Sequence, residues 1–166
     1  MKIIYCIGAC MLFLSCHKDK KEYIEITSGL SMDPGEPRIG VLINDKDSVY
    51  ICKEIIKNHE RTGEYIYFNS LNKISFDTYK DETLKVFNSS ISFHSIPDAQ
   101  PQQLVYFLNG KQYKQRFYFH QLSAQQKKAV TDILHLNNVK DLRGLPDYNK
   151  FSKELLEEVN PIPPIK

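Results

Sequence analysis

The sequence predicts an α+β fold, a mainly antiparallel sheet with two or three helices packed on one face. Three observations lead there. Short runs of alternating apolar and polar residues, bounded by Pro, Gly, Asn and Asp, recur through the first half and mark strands. Asn109-Gly110 lies between two more such runs and specifies a tight hairpin. Two further stretches place apolar residues at helical spacing behind a capping residue.

In chain order, 22–27 reads as the first strand, with Tyr23, Glu25 and Thr27 alternating against Ile24 and Ile26. Ser31-Met32-Asp33-Pro34-Gly35-Glu36-Pro37 is a loop by its Pro and Gly content. Strands are expected over 38–43 and 48–56, joined by a turn at Asn44-Asp45-Lys46-Asp47, and over 64–68 after a polar stretch containing Gly63. A helix is expected over 76–89, capped by Ser75 or Asp77, with Phe76, Thr83 or Leu84, and Phe87 on one face.

The hairpin joins strands over 103–108 and 111–120. Asn and Gly both tolerate the positive φ that a type I′ turn requires, and a two-residue turn fixes the register. Leu108 then opposes Lys111, Tyr106 opposes Tyr113, and Leu104 opposes Gln115. Leu104, Tyr106, Leu108, Tyr113, Phe117 and Phe119 are assigned to the core. Ser123 with Gln126 is a capping-box pattern. The helix behind it buries Ala129, Val130, Ile133 and Leu134, and Asn137-Asn138 ends it. A last helix is expected over 148–159, burying Phe151, Leu155, Leu156 and Val159. Pro161, Pro163 and Pro164 prevent its continuation.

The first fifteen residues are of another kind. Lys2 is their one charge, and Ile3 to Leu14 is apolar or small throughout. That run is too short for a membrane-spanning helix, which needs about 20 residues. It has the form of a secretory signal. Its end, Phe13-Leu14-Ser15-Cys16, resembles the lipobox of bacterial lipoproteins. The resemblance covers the leader alone and carries no information about the domain. It implies cleavage before Cys16, a lipid on that thiol, and attachment to an envelope membrane. His17, not Asp, follows Cys16, which in one Gram-negative sorting scheme favours the outer membrane over the inner. The expected organisation is a signal peptide (1–15), a lipidated tether (16–22), one α+β domain (23–159) and a Pro-rich tail (160–166).

Composition sets bounds on the rest. Of 22 Lys+Arg in 166 residues, Lys2 leaves with the leader, so 21 face 20 Asp+Glu. Such near-neutrality gives no argument for a nucleic-acid partner. Three of the four cysteines belong to the leader and anchor, so Cys52 has no partner for an internal disulfide. Stability must come from the core, for which about 150 residues suffice.

A search for chemistry returns no catalytic motif and no cofactor or metal site. No two of His17, His59, His94, His120 and His135 lie within five residues, and neither CxxC nor HExxH occurs. A calcium loop beginning at Asp45 would need Gly and Glu where Tyr50 and Ile56 stand. There is no Gly-x-Ser-x-Gly and no phosphate-cradling glycine loop. Asn88-Ser89-Ser90 fits a glycosylation pattern that a bacterial leader makes irrelevant.

One surface stands out. Lys111, Lys114, Arg116, Tyr118 and His120 are assigned to the outer face of the hairpin, with Lys127 and Lys128 close behind. Basic residues interleaved with aromatics suit an acidic protein surface, anionic lipid or a glycan. The plainer reading is a charged strand guarded against edge pairing. Anchor, compact domain and absent chemistry together favour a non-catalytic binding or inhibitor domain directed at an envelope or toxin protein. The alternatives are an envelope hydrolase with His94 or His120 as base, and a structural or assembly lipoprotein.

Overall fold

The computed structural model describes residues 21–96, 99–147 and 150–158. In chain order the elements are β1 (Tyr23–Ser28), β2 (Ile39–Asn44), β3 (Val49–Lys57), β4 (Glu60–Ser70), α1 (Phe76–Val86), β5 (Pro101–Leu108), β6 (Lys111–Tyr118), α2 (Ala124–His135), β7 (Leu142–Leu145) and α3 (Lys153–Leu156). Short 3-10 turns, Phe119–Gln121 and Leu136–Asn138, follow β6 and α2. The seven strands form one sheet in the order β6-β5-β1-β2-β3-β4-β7, and every neighbouring pair is antiparallel. The α+β architecture read from the sequence is the one observed.

The hairpin register is as predicted. Leu108 pairs with Lys111, Tyr106 with Tyr113 and Leu104 with Gln115, across Asn109 and Gly110 at φ 50° and 76°. A second two-residue turn lacks the Asn-Gly signature. Asn58 (φ 53°) and His59 (φ 61°) both adopt the left-handed conformation, so β4 starts at Glu60 instead of 64. Asn tolerates that conformation more readily than most residues.

The capping box of α2 forms in full. Ser123 Oγ accepts from Gln126 N (3.3 Å), and Ser123 N donates to Gln126 Oε1 (3.0 Å). Helix α1 is capped by Ser75 and tied to the β2–β3 turn, where Phe76 N donates to Asp47 Oδ1 (2.9 Å). It ends at Val86, three residues short of the expected limit.

Helices α1 and α2 lie on one face of the sheet. Ile24 and Ile26 of β1, Val41 and Ile43 of β2, Ile51, Leu104 and Phe117 meet Phe76, Phe87, Ala129, Val130 and Ile133 there. Each of these side chains larger than Ala129 contributes roughly 1.5–3 kcal/mol through burial. Two residues assigned to this core lie largely outside it: Tyr113 and Phe119 are 45% and 40% exposed. Tyr113 is on the edge strand, stacked on Tyr106 at 4.9 Å, and Phe119 has left the strand for the 3-10 turn.

The other face is covered by the chain's C-terminal part. Phe151, Leu155 and Leu156 are buried as expected, Phe151 and Leu156 clustering with Leu42 and Cys52. The helix there is one turn, Lys153–Leu156. Of the expected 148–159 span, residues 148, 149 and 159 lie outside the described residues. Ser152 is extended, which carries Phe151 across the sheet before the turn begins. Strand β7, four residues long, was not apparent in the sequence. It pairs with β4 as an edge strand.

Gly40 marks the closest approach between these layers. A Cβ there would meet Cys52 Sγ at 2.6 Å and Phe151 Cδ1 at 2.8 Å. Gly40→Ala is therefore expected to destabilise the domain by about 1–3 kcal/mol through overpacking. A lowered urea midpoint at unchanged slope would show it.

Candidate functional site

The residues singled out from the hairpin separate in space. Lys114 and Arg116 both form ion pairs with Glu154 of α3, Arg116 Nη2 to Glu154 Oε2 at 2.9 Å. The basic strand face thus meets an acid of its own chain. Tyr118 is buried, its ring stacked on Phe93 at 5.1 Å and its hydroxyl accepting from Ile96 N (2.7 Å). His120 is exposed in the 3-10 turn and stacks on Tyr118 at 5.8 Å. Lys111 pairs with Leu108, so it belongs to the helix-covered side and not to the face of Lys114 and Arg116. Cys16 and the leader lie outside the described residues.

The other candidates take ordinary places. His94 is exposed, with Nε2 3.1 Å from Ser92 Oγ. Cys52 is buried, and burial pushes its thiol well above the usual range. Asp47, at φ 56°, shapes the β2–β3 turn. No cluster of three metal-ligating side chains occurs among the described residues.

The structure instead assembles a polar layer that sequence reasoning missed. Residues 151–158 form a strap over β1, β2 and β5. Beneath it, Glu25, Thr27 and Gln103 are at most 1% exposed. Ser152 N donates to Glu25 Oε1 (2.8 Å), and Arg116 Nε donates to Gln103 Oε1 (3.0 Å). Glu25 Oε2, Thr27 Oγ1 and Gln103 Nε2 have no hydrogen-bond partner among the described residues. Burial raises the Glu25 carboxyl to about 7, against the opposing pull of the Ser152 hydrogen bonds and Lys114. In the sequence, Glu25 and Thr27 carry the usual signature of a solvent-facing strand side, so nothing local marked them.

A second cluster sits at the end of β2. Arg38 grips Glu54 with two nitrogens, Nε to Oε2 at 2.9 Å and Nη2 to Oε1 at 2.7 Å, and Nη1 donates to Glu158 O (2.9 Å). Both side chains are nearly inaccessible. Burial alone would raise the Glu54 carboxyl, but the Arg38 guanidinium outweighs it and holds the group below its usual range. The signal for this pair was available. The 44–48 turn sets Ile39 against Lys53, which places Arg38 opposite Glu54.

Two grooves flank the strap, at opposite ends of β1. Where β1 ends, a groove of about 530 Å³ is lined by Leu30, Met32, Phe93, Ile96, Arg61 and Arg116, among others. Met32 is 72% exposed and Ile96 39%. Arg61 is fixed by backbone carbonyls, Nη2 donating to Ser31 O (2.7 Å) and to Asp33 O, so the 31–36 loop is held against β4. Where β1 begins, a mainly apolar pocket of about 540 Å³ is lined by Lys21, Tyr23, Leu42, Phe107, Gln112 and Lys150, among others.

No family model matches the chain, and no curated protein matches it.

The two buried carboxylates predict opposite pH behaviour. Folded Glu25 retains its proton up to about 7, whereas an unfolded glutamate releases it near 4.5. The native state therefore binds more protons across that window, and this contribution to stability is lost as pH rises through it. Its full size is on the order of 3 kcal/mol. Glu25→Gln should flatten the slope between these values and raise stability above pH 7, read by urea denaturation at several pH values. Glu54 has the reverse sign, its contribution being present at neutral pH and lost on acidification below its ordinary value. Arg38→Met leaves that carboxylate with Gly63 N (3.2 Å) and the more distant Arg61 (4.0 Å), and should cost up to about 3 kcal/mol, most of it recovered in the Arg38→Met/Glu54→Leu double variant.

Proposed function

We propose that this chain is a lipid-anchored envelope protein that presents a non-catalytic binding domain, inhibitor-like, to another envelope protein. The leader and its Ser15-Cys16 junction support the anchor, and His17 in the following position favours the outer membrane. A tether of six residues, 17–22, reaches at most about 20 Å, so the domain stays close to the bilayer.

One observation carries the binding reading. β1 connects the tether side of the sheet directly to the groove at its far end, and its six residues span about 20 Å. The groove therefore lies at the end of β1 opposite the one the tether joins. Its lining has the make-up of a protein-binding patch, with exposed Met32 and Ile96 beside Phe93 and arginines at the margin. Arg61, held by three backbone carbonyls, keeps the groove wall in place before any partner arrives. Preorganisation of this kind lowers the entropic cost of association.

The hydrolase alternative relies on His94 or His120 as base. Both are exposed, and neither lines the two grooves described. His94 meets a hydroxyl, Ser92 Oγ, but no carboxylate orients its ring among the described residues. No specific observation favours that reading.

The test uses the full chain expressed in its own cells. In vivo crosslinking from position 32 should capture one reproducible envelope partner. The Met32→Asp/Ile96→Asp variant should lose it by tenfold or more, with an unchanged urea midpoint. Cys16→Ser should move the protein from the membrane to the soluble fraction. Capture unaffected by the groove variant would refute the placement of the binding face.

A further inference from the structure

We infer that the apolar pocket at the start of β1 seats one acyl chain of the protein's own Cys16 anchor, an assignment that rests on the lipidation proposed above. The pocket's inner wall is formed by Tyr23, Phe107 and Leu42, with the Tyr23 and Phe107 rings stacked at 5.9 Å and 9°. Leu42 belongs to the buried cluster under the strap, and Tyr23 packs against that cluster. The pocket is thus the open end of the second core. Its volume of about 540 Å³ lies within the range of small-ligand sites.

The occupant is indicated by where the chain enters. Lys21 and Glu22 line the pocket itself. Glu22 is fastened from three sides. Its carboxylate Oε1 accepts from Asn109 N (2.9 Å), its carbonyl accepts from Asp45 N (3.0 Å), and its own N–H donates to Asp45 Oδ2 (3.2 Å). The β5–β6 and β2–β3 turns therefore fix the point from which the tether leaves, and that point is the pocket mouth. Five residue steps separate Lys21 from Cys16, a reach of at most about 18 Å. A lipid on Cys16 is confined to this neighbourhood and meets the pocket at high effective concentration.

The chemistry is compatible. Moving an acyl chain from bilayer to an apolar pocket exchanges one apolar environment for another, so the roughly 0.8 kcal/mol per methylene gained in either largely cancels. The remaining chains of the anchor stay in the membrane. The Asn44 amide in the lining offers a donor to a glyceryl ester carbonyl, and Lys21 offers charge toward headgroups. A seated chain would hold the sheet in one orientation to the bilayer, with the Met32 groove at the other end of β1.

Cells expressing the full chain would be supplied with a diazirine-bearing fatty acid, and the purified protein, in nanodiscs, irradiated and mapped by peptide mass spectrometry. Adducts are expected on the peptides carrying Tyr23, Leu42 and Phe107. With light and heavy protein mixed, they should arise within one chain. Phe107→Asp, and independently Gln112→Trp, which fills the pocket, should each lower adduct yield about tenfold. Adducts elsewhere on the domain, adducts of unattached lipid alone, or crosslinks only between light and heavy copies would overturn the assignment, the second pointing to free lipid and the third to a neighbouring copy's chain. The intact mass reports separately on Cys16. An unmodified thiol there would remove the anchor and this site together, whereas a lipidated Cys16 without pocket adducts would remove only the site.

Discussion

β1 lies inside the sheet with a polar side, and the second layer of the fold follows from that. Ile24 and Ile26 commit one side to the helices, leaving Glu25 and Thr27 on the other. Between β5 and β2, those two residues sit over the middle of the sheet and not at its rim. A polar strip in such a place must stay wet or be covered by partners, because an unpaired buried polar group costs about 1–3 kcal/mol. The chain takes the second course. Ser152 supplies a backbone donor to Glu25 from 127 residues away, and Arg116 serves Gln103. The cover is incomplete in hydrogen-bonding terms, and the raised Glu25 carboxyl records the shortfall.

The same contrast separates what was legible in the sequence from what was not. Local chemistry was legible. Asn109-Gly110 fixed a register to the residue, and Ser123 with Gln126 fixed a helix start, because each is a short-range constraint on φ, ψ or an orphan N–H. The Asn58-His59 turn was missed because it lacks the glycine that marks a two-residue hairpin turn, and β7 because Leu-Arg-Gly-Leu is too short to show alternation. The polar layer was hidden for a different reason. Alternation along β1 is the same whether its odd residues meet water or a strap folded back from the far end of the chain. The candidate binding face suffered likewise. Lys114 and Arg116 look free until Glu154 arrives, and nothing near them in sequence announces it.

The Arg38–Glu54 pair shows what a buried ion pair does in such a sheet. Replacing both residues with apolar ones would cost little, since desolvation consumes most of the attraction between them. Its geometry is nevertheless demanding, with two nitrogens on two oxygens and a third on the Glu158 carbonyl. A shift of one residue between β2 and β3 would move Arg38 away from Glu54 and break this grip, leaving the buried guanidinium without its carboxylate. The pair thereby penalises the wrong register more than it stabilises the right one. Through Glu158 it also ties the strap's end to the same register.

Magnitudes decide what holds the strap itself. Lys114 and Arg116 with Glu154 are the visible contacts, but all three side chains are about a third exposed or more, and such pairs contribute roughly 0–1 kcal/mol. Phe151, Leu155 and Leu156 are each at most 7% exposed, and three such side chains contribute several kcal/mol together. The apolar residues therefore supply the attraction, and the charges supply direction. They tie a one-turn helix, too short to be stable alone and lying over β1 and β5, to the neighbouring edge strand β6, where Lys and Arg already protect the edge from pairing. The basic strand thus does two jobs with one set of residues. Its charge is met by Glu154 from within, whereas Met32 and Ile96 remain exposed at the far groove.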